Sequence, residues 1–163
     1  MLHFNQRINI NHDHQSSCKG SLLGWYRSFF ASALLAHKFK FEKLIHIEFD
    51  AYLLTKRATD YIDAINSGWT AFWCPKYNWA ETAIQVICND NFAKLEAFRQ
   101  IKLTRFKSLY AENVLKMAIT SINNTLVGDR YGESNIRQTP SMDYYCQCPS
   151  TMILKYQGTM SDE

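Results

Sequence analysis

Two carboxylates separated by one residue, Glu48 and Asp50, come after a short run of strand-forming side chains, Leu44-Ile-His-Ile47. Residues i and i+2 of a strand share a face, so the pattern predicts both acids on one side of a strand's end. Like charges so placed repel one another and lose hydration, and they persist where solvent, a cation or basic partners compensate them. Open α/β sheets bind ligands at the carboxyl ends of their strands. An acidic pair there suits a hard divalent cation, manganese or magnesium, that also holds substrate phosphates. The plainer account is that the pair ends the strand and caps the next helix.

The elements that would position this pair are readable from periodicity. Leu22, Trp25, Tyr26, Phe29, Phe30, Ala33 and Leu34 recur at three- and four-residue spacing, which predicts a helix from Leu22 to His37 with Ser21 as its cap. After Asp50, Thr55 is placed to cap a second helix carrying Ala58, Tyr61, Ile62 and Ile65, stopped by Gly68. Trp69 to Trp73 reads as a strand, and Pro75 opens a loop containing Tyr77 and Trp79. Glu81 to Asn89 is expected to be helical, with Ala83, Ile84, Ile87 and Cys88 spaced for burial and Glu81 in the first turn. Asp90 to Ile122 reads as one or two further helices made basic by Lys94, Arg99, Lys102, Arg105 and Lys107, a solvated face or a surface for a partner or lipid.

Around the acidic pair the chain resembles the GT-A-type glycosyltransferases, on the stretch Leu44-Ile-His-Ile-Glu48-Phe-Asp50 and on Trp79-Ala-Glu81-Thr-Ala-Ile-Gln. The resemblance runs from Lys19 to Asp90 and implies transfer of a sugar from a nucleotide-sugar donor to an acceptor that it does not identify. It implies that Glu48, standing where the family has its first Asp, and Asp50 hold a divalent metal bound to the donor diphosphate, with Asp129 completing the site. Glu81 matches the family's catalytic base. Arg27 is the candidate to face donor phosphates, and Trp73, with Tyr77 and Trp79, to stack on the sugar. Since 47 residues precede Glu48, the resemblance implies a partial GT-A-like, Rossmann-like sheet flanked by helices, with much of the donor-binding half absent and a helical C-terminal part. The alternative is a non-catalytic fragment or interaction module whose acidic pair is structural.

Length and composition set bounds. The 163 residues fit one domain and suffice for a substantial core, and 47% hydrophobic, 14% aromatic and 20% charged content belongs to a folded chain. A single α/β domain over residues 1–137 is expected, with a loosely ordered tail over 138–163. The formal charge of +3 does not call for nucleic acid, and it is compatible with an anionic donor or peripheral contact with a membrane surface. Residues 1–20, rich in Asn, His, Gln and Ser, lack the pattern of a signal peptide, and the apolar helix is too short and charged to span a bilayer. Five scattered cysteines read as reduced thiols, so a cytoplasmic location is expected. Two clusters carry little chemistry by spacing: His12-Asp13-His14, read as a solvated loop near an edge strand at Phe4 to Ile10, and Cys146-Gln-Cys148, which has no second ligand pair.

Overall fold

A computed structural model describes residues 19–74, 78–106, 109–130 and 142–146. Its elements are α1 (Lys19–Phe39), β1 (Lys43–Ile47), β2 (Tyr52–Leu53), α2 (Lys56–Ala64), β3 (Trp69–Cys74), β4 (Trp79–Cys88), α3 (Phe92–Gln100), α4 (Ala111–Leu115), β5 (Ser121–Asn123), β6 (Gly128–Arg130) and β7 (Tyr144–Cys146). Short 3-10 turns at Asn89–Asn91 and Leu103–Phe106 flank α3. The main sheet has the order β1-β4-β3-β5, antiparallel except for the parallel β3–β5 pair, and a smaller sheet has the order β2-β7-β6. The result is a mixed α/β architecture, a sheet flanked by helices, as the sequence predicted.

Two apolar clusters pack on the main sheet. Most of the α1 stripe is buried as expected, with Tyr26, Phe29, Phe30 and Ala33, joined by Ala36, meeting Trp69, Ile87, Leu95, Phe106 and Leu115, whereas Leu34 is exposed. Phe30 stacks on Phe98 and tilts against Phe106, and Trp69 meets Phe98 edge-on, so ring geometry fixes the seat of α1. The second cluster joins Ala58 and Ile62 of α2 to Phe72, Ile84, Val86 and Tyr144. Thr55 caps α2 by accepting from the Ala58 N–H at 3.2 Å.

The stretch expected to be helical at Glu81 to Asn89 is a strand. β4 runs ten residues and is buried along nearly its whole length between β1 and β3. A strand covered on both faces shows no alternation, so its apolar spacing is equally compatible with a helix, and the partner strands decide. Tyr144–Cys146, within the stretch expected to be loosely ordered, also forms a buried strand: Tyr145 pairs with Tyr52 on one side and Asp129 on the other. The helical region after Asp90 is present as α3 and α4, and it gives way to β5, which Ile122 joins as a strand residue. The N-terminal cluster at His12 to His14 and the Phe4 to Ile10 stretch lie outside the described residues.

Glycine permits a close approach within the small sheet. A Cβ at Gly128 would overlap Cζ of the buried Tyr144 ring, its neighbour in the β6–β7 pair. Gly128→Ala is expected to cost about 2 kcal/mol or more, because the ring is buried and has little room to yield. Chemical denaturation of the variant, which should show a lower midpoint, checks this.

Candidate acidic site

The acids do not lie on the strand itself. β1 ends at Ile47, and Glu48 and Asp50 sit in a β-turn closed by the Ala51 N–H, which donates to the Glu48 carbonyl at 3.0 Å. Phe49, between them, is 94% exposed, while Ala51 is buried. The expected same-face strand arrangement is therefore replaced by a turn that holds both acidic residues at the sheet's end.

A slip in β4 sets the position of this turn. Ala71 lies opposite Gln85 but Phe72 lies opposite Glu81, so Thr82, Ala83 and Ile84 have no partner in β3. The bulge supplies its own hydrogen bonds. Glu81 Oε1 accepts from the Ala83 N–H at 2.9 Å, and Gln85 Nε2 donates to the Thr82 carbonyl at 2.6 Å while its Oε1 accepts from Trp69 Nε1 at 2.8 Å. On the far side, the Ala83 carbonyl accepts the Glu48 N–H at 2.9 Å. Glu81 is thus 1% exposed and bound to the backbone segment that holds Glu48.

Above the turn, the indole of Trp25 on α1 donates from Nε1 to Glu48 Oε1 at 2.6 Å. His46 meets both Trp25 and Phe29 edge-on, and its Nε2 is buried with no hydrogen-bond partner among the described residues. Burial pulls the imidazole down to about 4, which keeps it neutral at physiological pH. Asp50 Oδ1 is likewise buried without a hydrogen-bond partner among the described residues. A buried carboxyl oxygen without a donor is the kind of group a hard cation satisfies, so the residues present fit the expected ion. Among the described residues no group of three or more His, Cys, Asp or Glu side chains is arranged to hold a metal.

The other expected site residues are distributed unevenly. Asp129 lies on β6, where its backbone pairs with Tyr145, which pairs in turn with Tyr52, two residues beyond Asp50. Trp73 is half-buried on β3, and its carbonyl accepts from the Tyr144 hydroxyl. Trp79 has a buried Nε1 without a partner among the described residues and carries the Lys116 ammonium 4.5 Å from its ring centre. Tyr77 lies outside the described residues. Arg27 is exposed and lies about 200° around α1 from Trp25, so the face that meets Glu48 is not the one that carries Arg27.

Sequence reasoning passed over two residues that organise the site. Trp25 was legible only as part of an apolar stripe. Asp143 fell in the expected tail, yet its carboxylate takes four hydrogen bonds, from Thr55 Oγ1 at 2.7 Å, from Arg57 Nε at 2.9 Å and Nη2, and from the Val127 N–H at 2.7 Å. That one side chain ties the start of α2 to β7 and to the approach to β6.

No protein-family model and no curated protein matches the chain. Among solved structures, it is similar to a glycosyltransferase involved in the glycosylation of the major capsid of PBCV-1, with 11% sequence identity and a TM-score of 0.50 over 81% of this chain and 77% of that one. The chain has a glycosyltransferase-like fold. Among the described residues, no helix is long and apolar enough to cross a membrane.

The Asp143 network gives a pH-dependent expectation. The Arg57 guanidinium, then the Val127 amide and Thr55 hydroxyl, hold its carboxyl at about 2 against an ordinary 3.8. A depressed carboxyl stabilises the fold fully above its unfolded value, and that contribution is lost as pH falls from 3.8 toward 2. Asp143→Asn should lower stability at neutral pH by about 2 kcal/mol and flatten the acid limb between roughly pH 4 and 2. Thermal melts across that range, wild type against variant, check both parts.

Proposed function

We propose that the chain is a metal-dependent glycosyltransferase of GT-A type, binding a nucleotide-sugar donor at the turn after β1. The observation that carries the reading is the buried Oδ1 of Asp50, without a partner among the described residues, in the same turn as Glu48 at the sheet's end. The fold it shares with a glycosyltransferase supports the assignment. Asp50 and Glu48 would hold the divalent ion, manganese or magnesium, with the donor's diphosphate oxygens and Asp129 filling further positions. When bound, such an ion neutralises charge on the diphosphate leaving group.

The chain's own residues orient the rest. The Glu48–Ala51 turn fixes the spacing of the two acidic residues, and Trp73 and Trp79 offer ring faces for the sugar. A general base must reach an acceptor hydroxyl. Glu81, buried and bonded to Ala83, supports the site through the bulge in place of that role. Its buried position also favours one second reading, a module that binds the donor without transferring the sugar.

Calorimetric titration of the purified chain with a panel of nucleoside diphosphates, with and without manganese, tests the proposal. Saturable binding that requires manganese, and that Asp50→Ala weakens by at least tenfold without a loss of melting temperature, is the expected outcome. A folded chain that binds no nucleotide with manganese present would sink it. Turnover of a bound nucleotide-sugar separates the transferase from the module. Glu81→Gln keeps an acceptor oxygen for Ala83, so it should retain the fold and donor binding. A variant that binds donor normally and loses all transfer would restore Glu81 as the base.

A further inference from the structure

The contact between Trp25 and Glu48 joins a helix core residue to an acid of the turn at 2.6 Å, in the short range for a hydrogen bond to a charged acceptor. Three rings hold that indole in place. Trp25 stacks on Phe29 with centroids 4.9 Å apart and planes 22° from parallel, and it meets His46 edge-on at 5.7 Å and Tyr26 edge-on at 5.2 Å. Phe29 and Tyr26 are buried, so the stack cannot turn without disturbing the core. The N–H therefore points in one direction. Glu48 has one more rotatable bond than Asp50, and leaving its carboxylate to several rotamers would weaken its hold on any ion.

We infer that Trp25 is a positioning residue for the metal site, its indole N–H clamping Oε1 of Glu48 so that the carboxylate is pre-set for the ion. This rests on the reading of Glu48 and Asp50 as metal ligands. The clamp is the outer-sphere hydrogen bond that a ligating carboxylate needs for orientation, supplied by α1. It also links the seat of the helix to the ion: whatever shifts α1 shifts Glu48.

The test is manganese affinity, read by electron paramagnetic resonance of free manganese with the full chain and no donor. Trp25→Phe keeps an aromatic ring to stack on Phe29 and removes the N–H together with part of the indole. It should weaken manganese binding roughly tenfold or more, while the melting temperature changes little. In a Glu48→Gln background, the same substitution should produce no further loss, because the clamped charge is already gone. Unchanged affinity in Trp25→Phe, or an equal loss in both backgrounds, would overturn the inference. Wild-type chain that binds no manganese here, and no nucleoside diphosphate with manganese present, would remove the metal reading and this inference together, whereas wild-type binding left unchanged by Trp25→Phe overturns this inference alone. If Trp25→Phe does not fold, Trp25→His retains a ring N–H in a smaller side chain. Affinity nearer to wild type in that variant than in Trp25→Ala supports the clamp, and equal affinity in the two overturns it.

Discussion

Everything near the acidic turn depends on the slip in β4. Three residues of that strand leave the β3 ladder, and a bulge of this size in the middle of a buried sheet would normally strand backbone donors and acceptors away from water. Glu81 and Gln85 resolve this from within the strand, one taking an N–H and the other covering a carbonyl. The Ala83 carbonyl faces β1 and takes the amide of Glu48. The β1–β4 ladder runs in register to Ile47 opposite Ile84, and the bulge lies on the β3 side of the same stretch of β4.

The carboxylates of this chain fall into different physical classes. Asp143 is saturated, with four donors around two oxygens, and works as a structural tie. Glu81 accepts from the backbone of the bulge through Oε1. Glu48 is held by an indole, and Asp50 keeps a buried oxygen with no hydrogen-bond partner among the described residues. Burial is common to all of them to some degree. The contrast is widest between Asp143, whose filled lone pairs leave little for a ligand, and Asp50, whose buried Oδ1 has no donor among the described residues.

Local pattern made α1, α2 and the first strand legible, since an apolar stripe at helical spacing and a Thr cap are written within a few residues of where they act, although α2 ends at Ala64, short of the expected stop at Gly68. The acidic pair was legible as well, although its setting in a turn was not: an i, i+2 pair shares a face only while the strand lasts, and β1 ends one residue before Glu48. β4 was misread because burial on both faces erases the alternation that marks a strand. The small sheet left no local trace at all. β7 is Tyr-Tyr-Cys in a polar, proline-flanked stretch, and it becomes a strand only because β2 and β6 offer it edges and Asp143 ties it to α2. The clamp on Glu48 was invisible for the same reason, as Trp25 and Glu48 sit in separate elements and meet only through tertiary packing.

The small sheet has a kinetic consequence. β2 lies just past the acidic turn, yet its partner β7 is at the far end of the described chain, so the pair Tyr52–Tyr145 closes one of the longest loops in the fold. Loop-closure entropy must be met before such a contact returns anything, and contacts of this kind form late. The main sheet and its aromatic helix can assemble from nearer neighbours. The strand after Asp50 must wait for β7 to arrive, which makes β2 among the last of the described elements to take shape during refolding.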